Sequence, residues 1–137
     1  MNPNKSVVEK FIAALGKGEG QVLGTLMTED VAATCTGTSL VSGTRSYSDL
    51  VTVAGVLKQL IRNGISFRIL TMTAEEDRVS CEVEGTSTLI NDVPYNNQYH
   101  FLFFIRNGKI YKLKEYIDTK LADATLAPLM QSLQNNN

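Results

Sequence analysis

His100, the only histidine of the chain, and Glu115 lie on either side of Asn107-Gly108. A two-residue Asn-Gly turn between apolar-rich runs is the strongest short-range signal for a type I′ hairpin. With Arg106 paired to Lys109, each step back along one strand matches a step forward along the other, which sets His100 opposite Glu115 on one face. Alternation adds Gln98, Leu102, Phe104, Tyr111, Leu113 and Ile117 to that face. The expected site is therefore an acid and an imidazole in an apolar surround. Burial favours the neutral form of each, and proximity favours the ion pair. A carboxyl kept protonated could donate to a carbonyl or epoxide oxygen, with the imidazole accepting or relaying the proton. The alternative is a structural cross-strand pair that meets no ligand.

Other reactive residue types give weaker patterns. Cys35 shares its strand parity with Val31 and Ala33 and is expected in the wall of the same cavity; with no thiolate-stabilising group placed nearby, it reads as a small buried hydrophobe rather than a nucleophile. Cys81 reads the same way. One histidine and two cysteines far apart have no metal-ligand spacing, so no metal and no cofactor are expected. Gly16-x-Gly-x-Gly20 lacks a preceding strand and a Gly-Lys-Ser/Thr ending, which makes it a helix-to-helix turn rather than a phosphate loop. On the other face of the hairpin, Tyr99, Phe101, Phe103 and Ile105 meet Tyr116, Lys114, Lys112 and Ile110. Aromatics interleaved with lysines suit a nucleic-acid platform only in a basic groove. In this slightly acidic chain they are expected to form an outer, dimer-forming face.

The elements that must position these residues follow from periodicity. Asn2-Pro3-Asn4 caps a first helix carrying Val7, Val8, Phe11, Ile12 and Leu15, and Gly16 to Gly20 ends it. A short helix is expected over Gln21 to Met27, a brief strand over Val31 to Thr36, and a loop from Gly37 to Ser46. Ser46-Tyr-Ser-Asp49 has the capping-box pattern, and Leu50, Val53, Ala54, Leu57, Leu60 and Ile61 form a long amphipathic helix stopped by Asn63-Gly64. From Ile65 the period becomes two: a strand to Leu70, a turn at Glu75 to Arg78, and a strand through Val79, Cys81 and Val83. A tight turn there would let Glu84 reach Arg68. Asn91 to Pro94 connects to the hairpin, and a closing helix spans about Lys120 to Leu133. Helices followed by antiparallel strands predict a single α+β domain over residues 1–137, with one curved sheet wrapping the helices.

Composition bounds the function. The chain has 137 residues, 43% hydrophobic and 20% charged, with a net charge of −1, which is enough for one core and one cavity. That charge provides no bulk attraction to nucleic acid or anionic membrane, and neither is an expected partner. No apolar run approaches the roughly 20 residues of a spanning helix, and the polar start Met1-Asn-Pro-Asn-Lys-Ser is unlike a signal peptide. With two unpaired cysteines, these features predict a cytoplasmic protein.

The stretch from Tyr95 to Thr119, most specifically Asn107-Gly-Lys-Ile110 and Glu115-Tyr-Ile-Asp118, resembles the SnoaL-like branch of the nuclear transport factor 2-like superfamily. The order of helices and strands over nearly the whole chain is similar too. The resemblance implies a cone-shaped α+β roll, shared by ketosteroid isomerases, polyketide cyclases, limonene epoxide hydrolases and phenazine-biosynthesis proteins, and homodimerisation through the sheet. Matched by position, it puts His100 where ketosteroid isomerases hold a protonated aspartic acid. Their phenol falls at Phe11 and their base near Cys35, with no carboxylate at Thr34 or Thr36, so their mechanism is not expected. The Arg-x-Asp of the epoxide hydrolases is absent around Cys81 to Gly85. Glu115 matches the acidic position of the final strand that serves as general acid in phenazine-biosynthesis proteins.

Together these readings predict a pocket lined by Phe11, Leu15, Cys35, Leu57, Leu102, Tyr111, Leu113 and Ile117, with Glu115 and His100 as polar anchors. Its ligand is expected to be an apolar or weakly polar small molecule. The function is either cofactor-free acid/base catalysis of the isomerase, cyclase or dehydratase kind, or ligand or protein binding without chemistry.

Overall fold

The structure is a computed structural model and describes residues 2–135. Helix α1 (Pro3–Lys17) begins where the Asn2 side chain accepts from the Asn4 and Lys5 amides, and ends at Gly18 with φ of 69°. Helix α2 (Gly20–Leu26) runs directly into strand β1 (Met27–Cys35). A short strand β2 (Gly43–Arg45) lies within the expected loop. It immediately precedes α3 (Tyr47–Leu60), whose Ser46–Asp49 capping box is complete.

Four strands follow: β3 (Ile61–Glu75), β4 (Arg78–Leu89), β5 (Gln98–Arg106) and β6 (Lys109–Ile117). They form one curved, open, six-stranded sheet in the order β2-β1-β6-β5-β4-β3. Every pairing is antiparallel except β1 with β6. That parallel contact brings the start of the chain's strand region against its end. Arg68 and Glu84 stand opposite each other and pair at 3.0 Å.

The core lies between the sheet and α1 and α3. Val8, Phe11 and Ile12 pack on Val79, Phe101 and Phe103, with Phe11 edge-on to Phe103 at 5.5 Å between ring centres. A second cluster, from Leu60, Ile61, Leu89, Tyr95, Ala122 and Leu126, closes the other end. Asn63 and Gly64 do not stop α3, which ends at Leu60. They form an irregularity within β3, with φ of 56° and 73°. Gly64 and Gly16 need to be glycine because a Cβ on Gly64 would overlap the Gly16 carbonyl, and one on Gly16 the Ile65 carbonyl. This close approach seats α1 on the sheet.

The expected closing helix is two helices, α4 (Thr119–Ala124) and α5 (Leu126–Asn135), broken at Thr125. Pro128 has no N–H for the Ala124 carbonyl, so a continuous helix is interrupted there, whereas the first turn of a new helix tolerates proline. Among the described residues no helix is long and apolar enough to cross a membrane.

The last hairpin has the expected turn, with φ of 52° at Asn107 and 77° at Gly108, and Arg106 pairs with Lys109. One step beyond, the register changes. Ile105 pairs with Ile110, but Phe104 pairs with Lys112, leaving Tyr111 as the extra residue of a β-bulge. A one-residue shift flips every later side chain to the other face. His100 therefore pairs with Tyr116, and Glu115 with Phe101. The expected opposition of His100 and Glu115 is thus corrected, and so is the expected dimer face: Tyr99, Phe101, Phe103, Ile105 and Ile110 are buried in the core.

Candidate functional site

Three adjacent strands, β2, β1 and β6, carry Arg45, Cys35 and Glu115. The parallel register sets Cys35 beside Glu115, and the Thr36 amide donates to the Glu115 carbonyl at 3.0 Å. Arg45 follows on β2, which pairs with β1 at Ala33. These side chains turn toward α1, α3 and α5, where Phe11, Leu15, Leu57 and Met130 complete an apolar cavity. The space open to the centre of a water-sized sphere is about 110 Å³. One water needs roughly 10–15 Å³ on the same measure, so the cavity admits several waters or a small ring.

Burial governs the electrostatics. Glu115 lines the cavity and keeps some accessible surface, but protein crowds its carboxyl and pushes its pKa up to about 7; the nearby Arg45 charge opposes that rise. A carboxyl poised near neutrality can both give and take a proton, the property required of a general acid or base. Burial, with Glu115 adding to it, pushes the Cys35 thiol up to about 11. Cys35 is therefore a neutral wall group rather than a nucleophile at neutral pH. The phenol of Tyr95 is pushed up to about 12, chiefly by burial, and burial also raises that of Tyr99 well above its usual value. Both remain donors.

Asn97 fixes the phenol end of the site. It is fully buried, donates to the Tyr95 hydroxyl at 3.0 Å and to the Asp118 carbonyl at 3.2 Å, and accepts from the Gln98 and Asp118 amides. Both N–H groups and the oxygen of its side-chain amide have partners, which ties the start of β5 to the end of β6.

Of the residues anticipated from sequence, Phe11, Leu15, Cys35 and Leu57 line the cavity with Leu113, Glu115 and Ile117. His100, Leu102 and Tyr111 do not, because the bulge leaves them on the outer face. His100 is exposed and shares a 2.6 Å hydrogen bond with Ser80. Tyr111 donates to Asp77 at 3.0 Å under the Arg106 guanidinium.

Arg45, Tyr95 and Tyr99 are cavity residues that the sequence reading did not place there. Nothing local marks Arg45, which lies in a three-residue strand. Tyr99 could have been found from its parity with Phe101, Phe103 and Ile105, the more apolar face of β5. Among the described residues no group of three or more His, Cys, Asp or Glu side chains is assembled to hold a metal.

The SnoaL-like domain profile matches residues 8–113. No curated protein matches the chain by sequence. Solved structures match it closely in fold. BvnE pinacolase from Penicillium brevicompactum is 12% identical and superposes with a TM-score of 0.81 over 96% of either chain. A nuclear transport factor 2-like protein from Burkholderia xenovorans LB400 is 24% identical, with a TM-score of 0.71 over 90% of this chain and 95% of that one. A protein of ketosteroid isomerase-like fold from Catenulispora acidiphila DSM 44928, solved in complex with trimethylamine, is 18% identical, with a TM-score of 0.71 over 80% and 83%.

Proposed function

We propose that this chain, which belongs to the SnoaL-like domain family of the nuclear transport factor 2-like superfamily, binds a small, largely apolar molecule in its cavity and acts on it by cofactor-free proton transfer. The observation that carries this reading is Glu115, the one carboxyl among the described residues of an apolar cavity, with burial pushing its pKa up to about 7. An acid of this kind can deliver its proton to a ligand oxygen and recover one from the neighbouring carbon, as an isomerase or cyclase requires. Tyr99 and Asn97 donate to the Tyr95 hydroxyl, which leaves the neutral Tyr95 O–H to donate to a developing oxyanion, in the role that sequence alone assigns to His100. The trimethylamine bound by the Catenulispora protein supports small-molecule binding as the common theme.

The second reading is a binding module of the same fold without chemistry. It is favoured by Phe11, which has no hydrogen-bond donor, and by the lack of a second carboxylate among the described cavity residues. As part of the proposal we also place the protein in the cytoplasm, where its two buried free cysteines stay reduced. We further assign it a homodimer through the actual outer sheet face, where Leu102 and Phe104 are half-buried and Tyr116 is 46% exposed.

A thermal-shift ligand screen, repeated on Glu115→Gln, tests the chemistry. For a bound carbonyl compound, proton–deuterium exchange at the adjacent carbon is expected to fall about 100-fold or more in the variant while binding persists. Equal binding by both proteins with no exchange in either leaves only the binding module.

A further inference from the structure

Among the described residues, Arg45 and Glu115 are the only Lys, Arg, Asp or Glu residues in the cavity wall; hydrocarbon, thiol, thioether, hydroxyl and phenol groups make up the rest. Arg45 is half-buried, and its Nη2 donates to the Val41 carbonyl at 2.9 Å. A guanidinium has five N–H donors in a rigid fork, so one backbone bond leaves most of it unused. Among the described residues no carboxylate lies within 4.0 Å of it; the ion pairs are Arg62–Asp92, Arg68–Glu84 and Arg106–Asp30. Asp49 feels its field but is exposed, and its carboxylate accepts from the Ser46 amide at 3.0 Å in the α3 capping box. Arg45 keeps some contact with solvent and its charge acts on Glu115, but with no carboxylate in ion-pair reach its remaining N–H groups are open to an anion that a ligand supplies.

We propose that the ligand is a small amphipathic carboxylate whose apolar body fills the cavity and whose carboxylate pairs with the free N–H groups of Arg45. This rests on the reading of the cavity as a ligand site and names the class of ligand it takes. The fork-to-fork geometry of guanidinium and carboxylate gives both charge and orientation. It would point the ligand's carbon chain at Glu115, across β1. Glu115 tolerates a second carboxylate because burial already favours its neutral form, and a neighbouring anion favours that form further. Cys35, Tyr95 and Tyr99, the other titratable groups facing the cavity, are neutral at the same pH.

Calorimetric titration of the full chain at pH 6.5 with benzoate, benzamide and benzylamine tests the proposal, since the three share a body and differ in head charge. Benzoate is expected to bind about tenfold or more tightly than benzamide, with benzylamine weakest. Arg45→Gln is expected to bring benzoate within about twofold of benzamide, and Arg45→Lys to keep part of the preference. Melting curves establish that each variant folds. If Arg45→Gln does not, the comparison of the native protein with Arg45→Lys still decides. Equal binding of benzoate and benzamide by the native protein, or a preference that survives Arg45→Gln, overturns the carboxylate proposal and leaves the cavity a ligand site. Failure of all three, and of 2-naphthoate and 2-naphthamide, to bind at millimolar concentration overturns both.

Discussion

The two faces of the β5–β6 hairpin are made from similar residue types and serve different ends. The inner face sets Tyr99, Phe101, Phe103 and Ile105 against Ile110, Leu113, Glu115 and Ile117. The outer face sets His100, Leu102 and Phe104 against Lys112, Lys114 and Tyr116. Each face has aromatics, aliphatics and at least one titratable group; on β5 the inner face is the more apolar, but which β6 side chains join it does not follow from alternation counted from the turn. The bulge at Tyr111 decides it. Inside, Glu115 is desolvated and poised near neutrality; outside, His100 meets water and Ser80. A side chain's chemistry here depends on its face before its type.

The strongest way to break this contrast is to delete Tyr111. Without the bulge, Leu113, Glu115 and Ile117 turn outward and Lys112 and Lys114 turn into the core, unless the turn is rebuilt. We expect a loss of roughly 4 kcal/mol or more, seen as loss of cooperative unfolding in urea. A deletion variant with the native urea midpoint would uncouple register from bulge.

Alanine at neighbouring phenylalanines sharpens the contrast. Phe103→Ala, fully buried on the inner face, is expected to cost about 3–5 kcal/mol. Phe104→Ala, half-buried on the outer face beside Tyr111 and Lys112, is expected to cost less than about 1.5 kcal/mol. Urea midpoints at constant m-value measure both.

The titratable pair gives the finest test. Folding raises the Glu115 pKa from 4.5 to about 7, so the folded state holds its proton more tightly than the unfolded one. The stabilising contribution is full below about pH 4.5, declines as pH rises, and is gone above about pH 7. Relative to Glu115→Gln, the native protein should lose on the order of 2–3 kcal/mol across that window. His100→Ala, an exposed outer-face change, is expected to stay within about 0.5 kcal/mol of the native stability and to leave ligand binding unchanged. A His100→Ala variant with altered ligand affinity would contradict its outer placement.

Much of the fold was legible because its signals are local. The Asn2 cap, the Ser46 capping box and the Asn107-Gly108 turn each rest on a few adjacent residues whose backbone needs are specific. The register of β6 was not, because strict alternation from the turn carries straight through Tyr111, where the strand bulges. The spacing of Ile110 and Leu113, three apart where alternation asks for two, is the sequence trace of the bulge, and the more apolar face of β5 agrees with it. Glu115 was found as an acidic position of the last strand. Its true neighbours were not found, because Arg45 and Tyr95 reach the cavity through tertiary contacts with no short-range pattern: a three-residue strand in one case and a connection held by buried Asn97 in the other. Asn63-Gly64 misled for a related reason. The dipeptide that commonly ends helices here supplies positive φ inside a strand, where α1 must come close.

The parallel contact of β1 with β6 also orders events in time. The hydrogen bond from the Thr36 hydroxyl to the Glu115 carbonyl spans 79 residues, and pairings this distant in sequence form slowly because a long loop must close before any contact repays it. The β3–β4 and β5–β6 hairpins can form from neighbouring segments, whereas Cys35, Arg45 and Glu115 meet only when the two ends of the strand region join. A chain emerging from the ribosome therefore has its hairpins before it has a cavity, and the binding site is among the last parts of the molecule to exist.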